Sequence, residues 1–227
     1  MVGAIDPVVP FFYSLGGVQL VNALNALMVG SADDAVYLGK YTKVTADAIA
    51  KIDKFGTAVP AGLTDRGWIS EDGASLELSD SVDKIRGHQG HGVVKTYMSE
   101  SDTTFTVTFL ETQLETLVES LDIKTGTLSG TGESAVAILD VPSSRKTRLL
   151  SGVVDLFDVS GVDAQIRILL PMLSLGERTG LQFKVGEIMA YEYKLEVLGG
   201  FKLITNAPDV IRDSALFAEL LEVPELP

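Results

Sequence analysis

The only two histidines of the chain, His88 and His91, lie in the glycine-rich stretch from Gly87 to Gly92. Imidazoles at this spacing are potential zinc ligands, but a zinc site needs a third and a fourth ligand that are held rigidly. The chain contains no cysteine, and no acidic residue stands in register with these histidines. We therefore interpret the stretch as an exposed turn, and we predict neither a metal site nor a bound cofactor.

A serine hydrolase would need one of the same histidines as its base, and no Gly-x-Ser-x-Gly turn occurs in the chain. The acidic pairs Asp33-Asp34 and Glu71-Asp72 could in principle serve acid–base chemistry or bind calcium, which leaves an enzyme with paired carboxylates as one hypothesis. Such pairs arise by chance among 31 acidic residues, and Glu71-Asp72-Gly73 does not follow the calcium-loop pattern. The sequence therefore predicts a protein that is not an enzyme.

Trp68 is the only tryptophan of the chain, and Tyr97, Tyr191 and Tyr193 accompany it as further large aromatic residues. One interpretation is an aromatic platform that binds a sugar. The interpretation that we favour places Trp68 in the core at the edge of a strand, because large aromatic side chains dominate the energetics of protein cores.

The composition describes a folded and acidic chain. Hydrophobic residues make up 46% of the 227 residues, which argues against disorder and permits one large domain or two small ones. The 18 basic and 31 acidic residues give a net charge of −13. A general nucleic-acid binder is excluded, because phosphate contacts need clustered Lys and Arg side chains. The absence of cysteine excludes a disulfide scaffold.

Alternation of apolar and polar residues, the pattern of a half-buried strand, recurs along the chain. It is clearest in a threonine-rich stretch that ends near Glu111 and in the stretch from Met189 to Val197. Short strands of this kind with glycine-rich turns, together with one or two short helices, predict a mainly-β sandwich or barrel. The predicted core motif consists of Trp68, Phe105, Val107, Phe109, Tyr191 and Tyr193.

The pattern divides the chain into three regions: an N-terminal arm or helix at 1–30, a β domain at 31–205, and a C-terminal helix and tail at 206–227. The apolar N-terminal arm packs either on its own domain or on a neighbouring subunit, because so apolar a segment would be a liability if it were left bare. Prolines, glycines and asparagines interrupt it, so we predict no membrane span. Within the β domain, 43–66 lacks strand periodicity and contains at most a short helix.

One central pattern resembles a known protein family. Trp68-Ile-Ser-Glu-Asp-Gly73 is followed by a polar span, by Val93-Val-Lys-Thr96, and by an alternating strand that ends in Leu-Glu-Thr112. This pattern resembles the major tail protein of long-tailed bacteriophages of the siphophage type, most of all the version found in phages of actinobacterial hosts. The resemblance covers roughly residues 31–200.

The resemblance implies a fold and a set of partners. The family's tail-tube β-sandwich forms hexameric rings whose inner sheets join into a barrel, and stacked rings make the conduit that delivers DNA into the host. The implied partners are further copies of the chain, the tape measure protein, and the tail terminator and tip proteins. Genomic DNA would pass without specific binding, and the chain would reside in the virion tail after assembly in the host cytoplasm. An extended loop commonly bridges stacked rings in this family, and 43–66 is the candidate for that role.

A DNA conduit needs a polar and acidic inner face, because an acidic lining does not bind phosphate. The candidates for that face are Glu77, Glu192, Lys194 and Glu196. The alternative is a solvated outer face, since alternation does not distinguish the inside of a tube from its outside. A different hypothesis for the whole chain is a carbohydrate-binding β-sandwich, either an adhesin or a virion decoration protein.

Overall fold

The computed structural model describes residues 26–86, 88, 91–161, 163–211 and 220. Most of the predicted N-terminal arm at 1–30 and most of the predicted C-terminal helix and tail at 206–227 lie outside the described residues. The protein is mainly β, as predicted. Its elements in chain order are β1 Ala35–Lys40, α1 Lys43–Ala50, β2 Thr64–Asp65, β3 Ile69–Arg86, β4 Val93–Phe109, α2 Leu114–Ser120, β5 Thr125–Ser129, β6 Val136–Asp140, β7 Arg148–Phe157, β8 Gln165–Leu175, β9 Tyr191–Val197, β10 Lys202–Thr205 and α3 Pro208–Ile211.

Eight of the strands form one sheet in the order β2-β1-β7-β8-β9-β4-β3, and β10 pairs with β8. All of the pairings are antiparallel. The two edge strands β2 and β3 are joined by residues 66–68 alone, and a chain this short holds their ends close together. The sheet therefore curls without closing into a barrel. Strands β5 and β6 form a separate two-stranded sheet.

The core lies inside this curl. One cluster of buried side chains combines Val36 and Leu38 of β1 with Phe105 and Phe109 of β4, although three strands separate β1 from β4 in the sheet. Two regions of one sheet share a core only if the sheet folds over on itself, which is consistent with the predicted sandwich. A second cluster lies on the outer side of β7 and β8, where α1 covers the sheet.

The aromatic side chains of β4 and β9 make up the centre of the main cluster. Phe105, Val107 and Phe109 are buried, as are Tyr191 and Tyr193 of the neighbouring strand. Val107 lies opposite Tyr193 and Phe109 opposite Tyr191 in the register. The Phe109 and Tyr193 rings meet edge to face at 5.2 Å between centroids, a favourable arrangement for two aromatic rings.

The prediction that Trp68 lies in the core is wrong, because its side chain is 66% exposed. Ile69 packs against the core cluster, and successive side chains of an extended chain point to opposite sides. Trp68 therefore points outward. Its backbone is nevertheless bonded, since its N–H donates to Glu111 Oε1 at 3.1 Å and its carbonyl accepts from the Leu110 N–H.

The segment 43–66 begins with the short helix α1 that the sequence allowed, and 51–63 contains no helix or strand. Thr42 caps α1 through its side chain, and Ile49 is fully buried against the sheet. The guanidinium group of Arg167 donates hydrogen bonds to the carbonyl oxygens of Lys54 and Thr57. The segment that was the candidate for an extended inter-ring loop therefore packs against its own sheet.

Gly39 of β1 illustrates how closely this segment approaches the sheet. A Cβ atom on Gly39 would lie 2.1 Å from the carbonyl oxygen of Gly62, a distance that no real contact allows. Gly56, in contrast, has open space around the position of a Cβ atom. Only a glycine at position 39 permits the connection to lie against β1.

We expect Gly39→Ala to lower the free energy of unfolding by about 1–3 kcal/mol, because the added methyl group forces the backbone of 62 away from β1. Urea unfolding followed by circular dichroism measures this change. Gly56→Ala is the matched control and should change the stability by less than about 1 kcal/mol. Equal stabilities of the two variants would show that the close approach at Gly62 does not constrain the fold.

A buried carboxylate fixes the chain between α2 and β7. Asp122 accepts hydrogen bonds from the Lys146 N–H at 3.0 Å and from Arg148 Nε at 2.8 Å. These hydrogen bonds lower the pKa of Asp122 from 3.8 to about 2. Because the folded state binds the proton more weakly than the unfolded state, this carboxylate stabilises the protein above about pH 4, and the stabilisation is lost as the pH falls towards 2.

We expect Asp122→Asn to lower the free energy of unfolding at pH 7 by about 1.5–3 kcal/mol, since two charge-assisted hydrogen bonds are weakened. The variant should also lose less stability than the wild type between pH 4 and pH 2.5. Urea unfolding at both pH values measures the difference. Asp33→Asn removes an exposed carboxylate and serves as the control. Parallel pH profiles for wild type and Asp122→Asn would contradict the role assigned to this group.

Candidate interaction surfaces

The structure places all four predicted lumen residues on one face of the sheet. Glu77 of β3 lies opposite Thr104 of β4, and Thr104 lies opposite Glu196 of β9. Lys194 and Glu192 continue the same face along β9 because they alternate with its buried residues. Glu77, Lys194 and Glu196 are exposed, and Glu192 is half-buried. The opposite face of the same three strands is the core, so the face is a polar, net acidic surface backed by a rigid layer.

Strands β3 and β4 continue far beyond the sheet as a hairpin. Strand β9 pairs with β4 only at 104–109, so the rest of the hairpin, at 78–86 and 93–103, pairs only with itself. The sequence indicated only a polar span here, and the structure forms most of it into strands. We call this element the distal hairpin. Both of its faces carry exposed large hydrophobic side chains, namely Leu78, Val82, Ile85, Val93, Val94, Tyr97 and Met98.

The distal hairpin therefore lacks the support that a strand pair usually has. An isolated two-stranded hairpin is marginally stable in water, and contiguous exposed apolar surface marks an interaction site. The outer edge of β3 also has no strand partner among the described residues, and an unpaired edge is a template for pairing with another chain. The distal hairpin therefore has an unpaired edge and uncovered apolar faces within the described part of the chain.

The β5–β6 hairpin shows the same property on a smaller scale. It forms a sheet of its own, and Leu128, Val136 and Ile138 are exposed. Leu128 and Ile138 lie on opposite faces, because Ile138 pairs with the neighbouring residue Thr127. The loop before β9 also carries an exposed aromatic side chain, since Phe183 is 80% exposed.

An open cleft of about 630 Å³ lies at the base of the hairpin, between the beginning of β3 and the chain around Val29–Ala32. The exposed Trp68 lines it. Its acidic residues are Asp34, Asp65, Glu71, Asp72 and Glu111, and no Lys or Arg lines it. We call it the acidic cleft.

Hydrogen bonds to the backbone hold three of these carboxylates in place. Asp34 accepts from the Phe157 N–H at 2.8 Å, Asp65 accepts from the Gly67 N–H at 3.0 Å, and Glu111 accepts from the Trp68 N–H at 3.1 Å. Gly67 has a φ of 75°, and a Cβ atom there would lie 2.2 Å from the Glu111 carboxyl carbon. The positive φ favours glycine at this position, and a larger residue would also displace the Glu111 carboxylate, so the motif around Gly67 shapes the wall of the cleft.

A buried ion pair lies beneath this wall. Arg66 is 1% exposed, and its Nη2 donates to Glu119 Oε1 at 2.7 Å and to the Leu38 carbonyl at 3.2 Å. Burial raises the pKa of Glu119, and the Arg66 charge opposes that rise. The Tyr193 hydroxyl donates to the Thr116 carbonyl at 3.0 Å. This network ties the β2–β3 connection to α2, and nothing in the sequence pattern singled out Arg66 or Glu119.

The aromatic platform considered from the sequence is not assembled. Tyr191 and Tyr193 are buried in the core, and Tyr97 lies on the distal hairpin, so none of them joins Trp68 in the cleft. Within the described residues of the chain, no group of three or more His, Asp or Glu side chains could hold a metal ion. No helix among the described residues is long and apolar enough to cross a membrane.

No protein-family model matches this chain, and no curated protein is similar enough in sequence to indicate a relationship.

The exposure of Trp68 and the charge of the cleft predict a fluorescence signature. Cesium should quench the emission of native protein more strongly than iodide, because the surrounding carboxylates attract the cation and repel the anion. Neutral acrylamide should quench native and urea-unfolded protein to a similar extent. The variant Glu71→Gln/Asp72→Asn should reduce the preference for cesium. Strong protection of Trp68 from acrylamide in unassembled protein would contradict its exposed position.

Proposed function

We propose that this chain is a structural subunit of a phage tail tube, in which copies assemble into stacked rings that conduct DNA. The observation that carries the proposal is the long hairpin, whose outer edge and apolar faces have no partner among the described residues. Pairing of such edges between subunits is how a β protein forms a closed ring, and closure removes the edges that would otherwise aggregate.

The polar face of β3, β4 and β9 supports the same proposal. This region of the face has a net charge of −2, because it contains three carboxylates (Glu77, Glu192 and Glu196) and one ammonium group (Lys194). A lining of this kind repels phosphate, so DNA slides along it without release of counterions. We propose that this face lines the lumen, and that the tape measure, terminator and tip proteins contact the assembled tube. The protein would then act in the virion tail.

The distal hairpin takes the place of 43–66 in this proposal. The segment 43–66 is packed on its own subunit through Ile49 and Ile52, whereas the distal hairpin projects with its apolar side chains exposed. Contacts between stacked rings need an element that reaches beyond its own subunit. The distal hairpin meets that requirement, and the sheet beneath it gives it a rigid base.

Electron microscopy of the purified full chain tests the proposal. At concentrations above a threshold the protein should form rings or tubes of uniform diameter, and reconstruction of the tubes should place Glu77 and Glu196 on the inner wall. A protein that stays monomeric at every concentration would overturn the proposal. Tubes with this face on the outside would support the proposed assembly but would contradict the assignment of this face to the lumen.

A second candidate function is the binding of carbohydrate. The observation that favours it is the exposed Trp68 ring next to Glu71, Asp72 and Glu111, because an aromatic face with adjacent hydrogen-bond acceptors suits a sugar. Protection of Trp68 from acrylamide by soluble oligosaccharides, in protein that forms no tubes, would favour this function over the first.

A further inference from the structure

The end of the distal hairpin is basic, in contrast to the chain as a whole. Lys84 and Arg86 lie near the end of β3, and Lys95 lies near the beginning of β4. No Asp or Glu occurs from position 84 to position 99, although the chain carries a net charge of −13. Lys95 is paired with Ile85, next to Lys84, so the two lysines lie on opposite faces. The hairpin therefore presents positive charge on both of its faces.

The acidic cleft lies at the other end of the same strand. Glu71 and Asp72 at the beginning of β3 are exposed and belong to the five carboxylates that line it. Ala74, where regular pairing with β4 begins, and Arg86 are twelve residues apart on β3 (86 − 74). At a rise of about 3.3 Å per residue this separation is roughly 40 Å. The hairpin of one molecule therefore cannot reach its own cleft.

We propose that the basic end of the distal hairpin docks in the acidic cleft of a second copy of this chain. The proposal rests on the proposed function, because it names the contact by which one ring stacks on the next. Charge complementarity selects the partner: the basic end needs an acidic concave surface, and the acidic cleft supplies five carboxylates and no basic residue. The apolar side chains of the distal hairpin and the exposed Trp68 ring add buried area to the contact.

The contact joins two different surfaces, so it is heterologous. A heterologous contact repeats from copy to copy and generates open stacks unless a rotation closes them. Each copy has one hairpin end and one cleft at opposite ends of β3, which gives the stack a direction. Such a contact between exposed charges weakens as salt is added.

A charge-swap experiment tests the contact. Lys84→Glu/Lys95→Glu reverses the hairpin end, and Glu71→Lys/Asp72→Lys reverses the cleft by the same number of charges. Each double variant should raise the critical concentration for assembly about tenfold or more at low salt. The quadruple variant carries both reversals and the original net charge, and it should restore assembly to within about a factor of three. Sedimentation velocity and electron microscopy measure assembly, and thermal unfolding checks that each variant is folded.

Lys43→Glu/Lys51→Glu, a double reversal of exposed lysines around α1, is the matched control and should assemble like the wild type. Normal assembly of Lys84→Glu/Lys95→Glu, or a quadruple variant that is not rescued, would overturn the docking contact while leaving the tail-tube function standing. Salt-sensitive head-to-tail oligomers that never form tubes would keep the contact and overturn the function. A wild type that is monomeric at every concentration would overturn both.

Discussion

The paired alternation of β4 and β9 is the constraint on which the rest of the structure depends. Phe105, Val107 and Phe109 face the core next to Tyr191 and Tyr193, so every residue between them is directed to the opposite face. A slip of one residue in this register would bury glutamates and lysine and expose the aromatic rings. Burial of the apolar side chains therefore fixes the register, and the register determines which residues lie on the polar face that we propose for the lumen.

This register also sets the base from which the hairpin projects. Strand β9 supports β4 only as far as Thr104, and beyond that point β3 and β4 have only each other. The distal hairpin is only weakly stabilised in a single molecule, because neither of its faces is covered. In the tail tube that we propose, assembly would bury the apolar side chains that this chain, with a net charge of −13, leaves exposed on the hairpin.

The connection at residues 66–68 links the fold to the cleft. Arg66 is buried against Glu119, Gly67 allows the backbone to pass Glu111, and Trp68 is thereby turned outward. One short segment thus closes the curl of the sheet on its inner side and builds an acidic, aromatic surface on its outer side. The buried ion pair and the wall of the acidic cleft therefore depend on the same three residues.

The sequence by itself determined the mainly-β class, the buried aromatic residues of β4 and β9, and the alternation that puts Glu192, Lys194 and Glu196 on one side of their strand. Glu77 joins that face only because β3 and β9 both pair with β4. Period-two alternation is a local property, so it can be recognised in the sequence without knowing which strands pair. The position of Trp68, the packing of α1 and the length of the hairpin were decided only by the tertiary structure. The physical reason is that each depends on a partner distant in sequence: Glu111 for Trp68, β7 and β8 for α1, and the opposite strand for the polar residues of the hairpin, which single-strand propensity assigns to a turn.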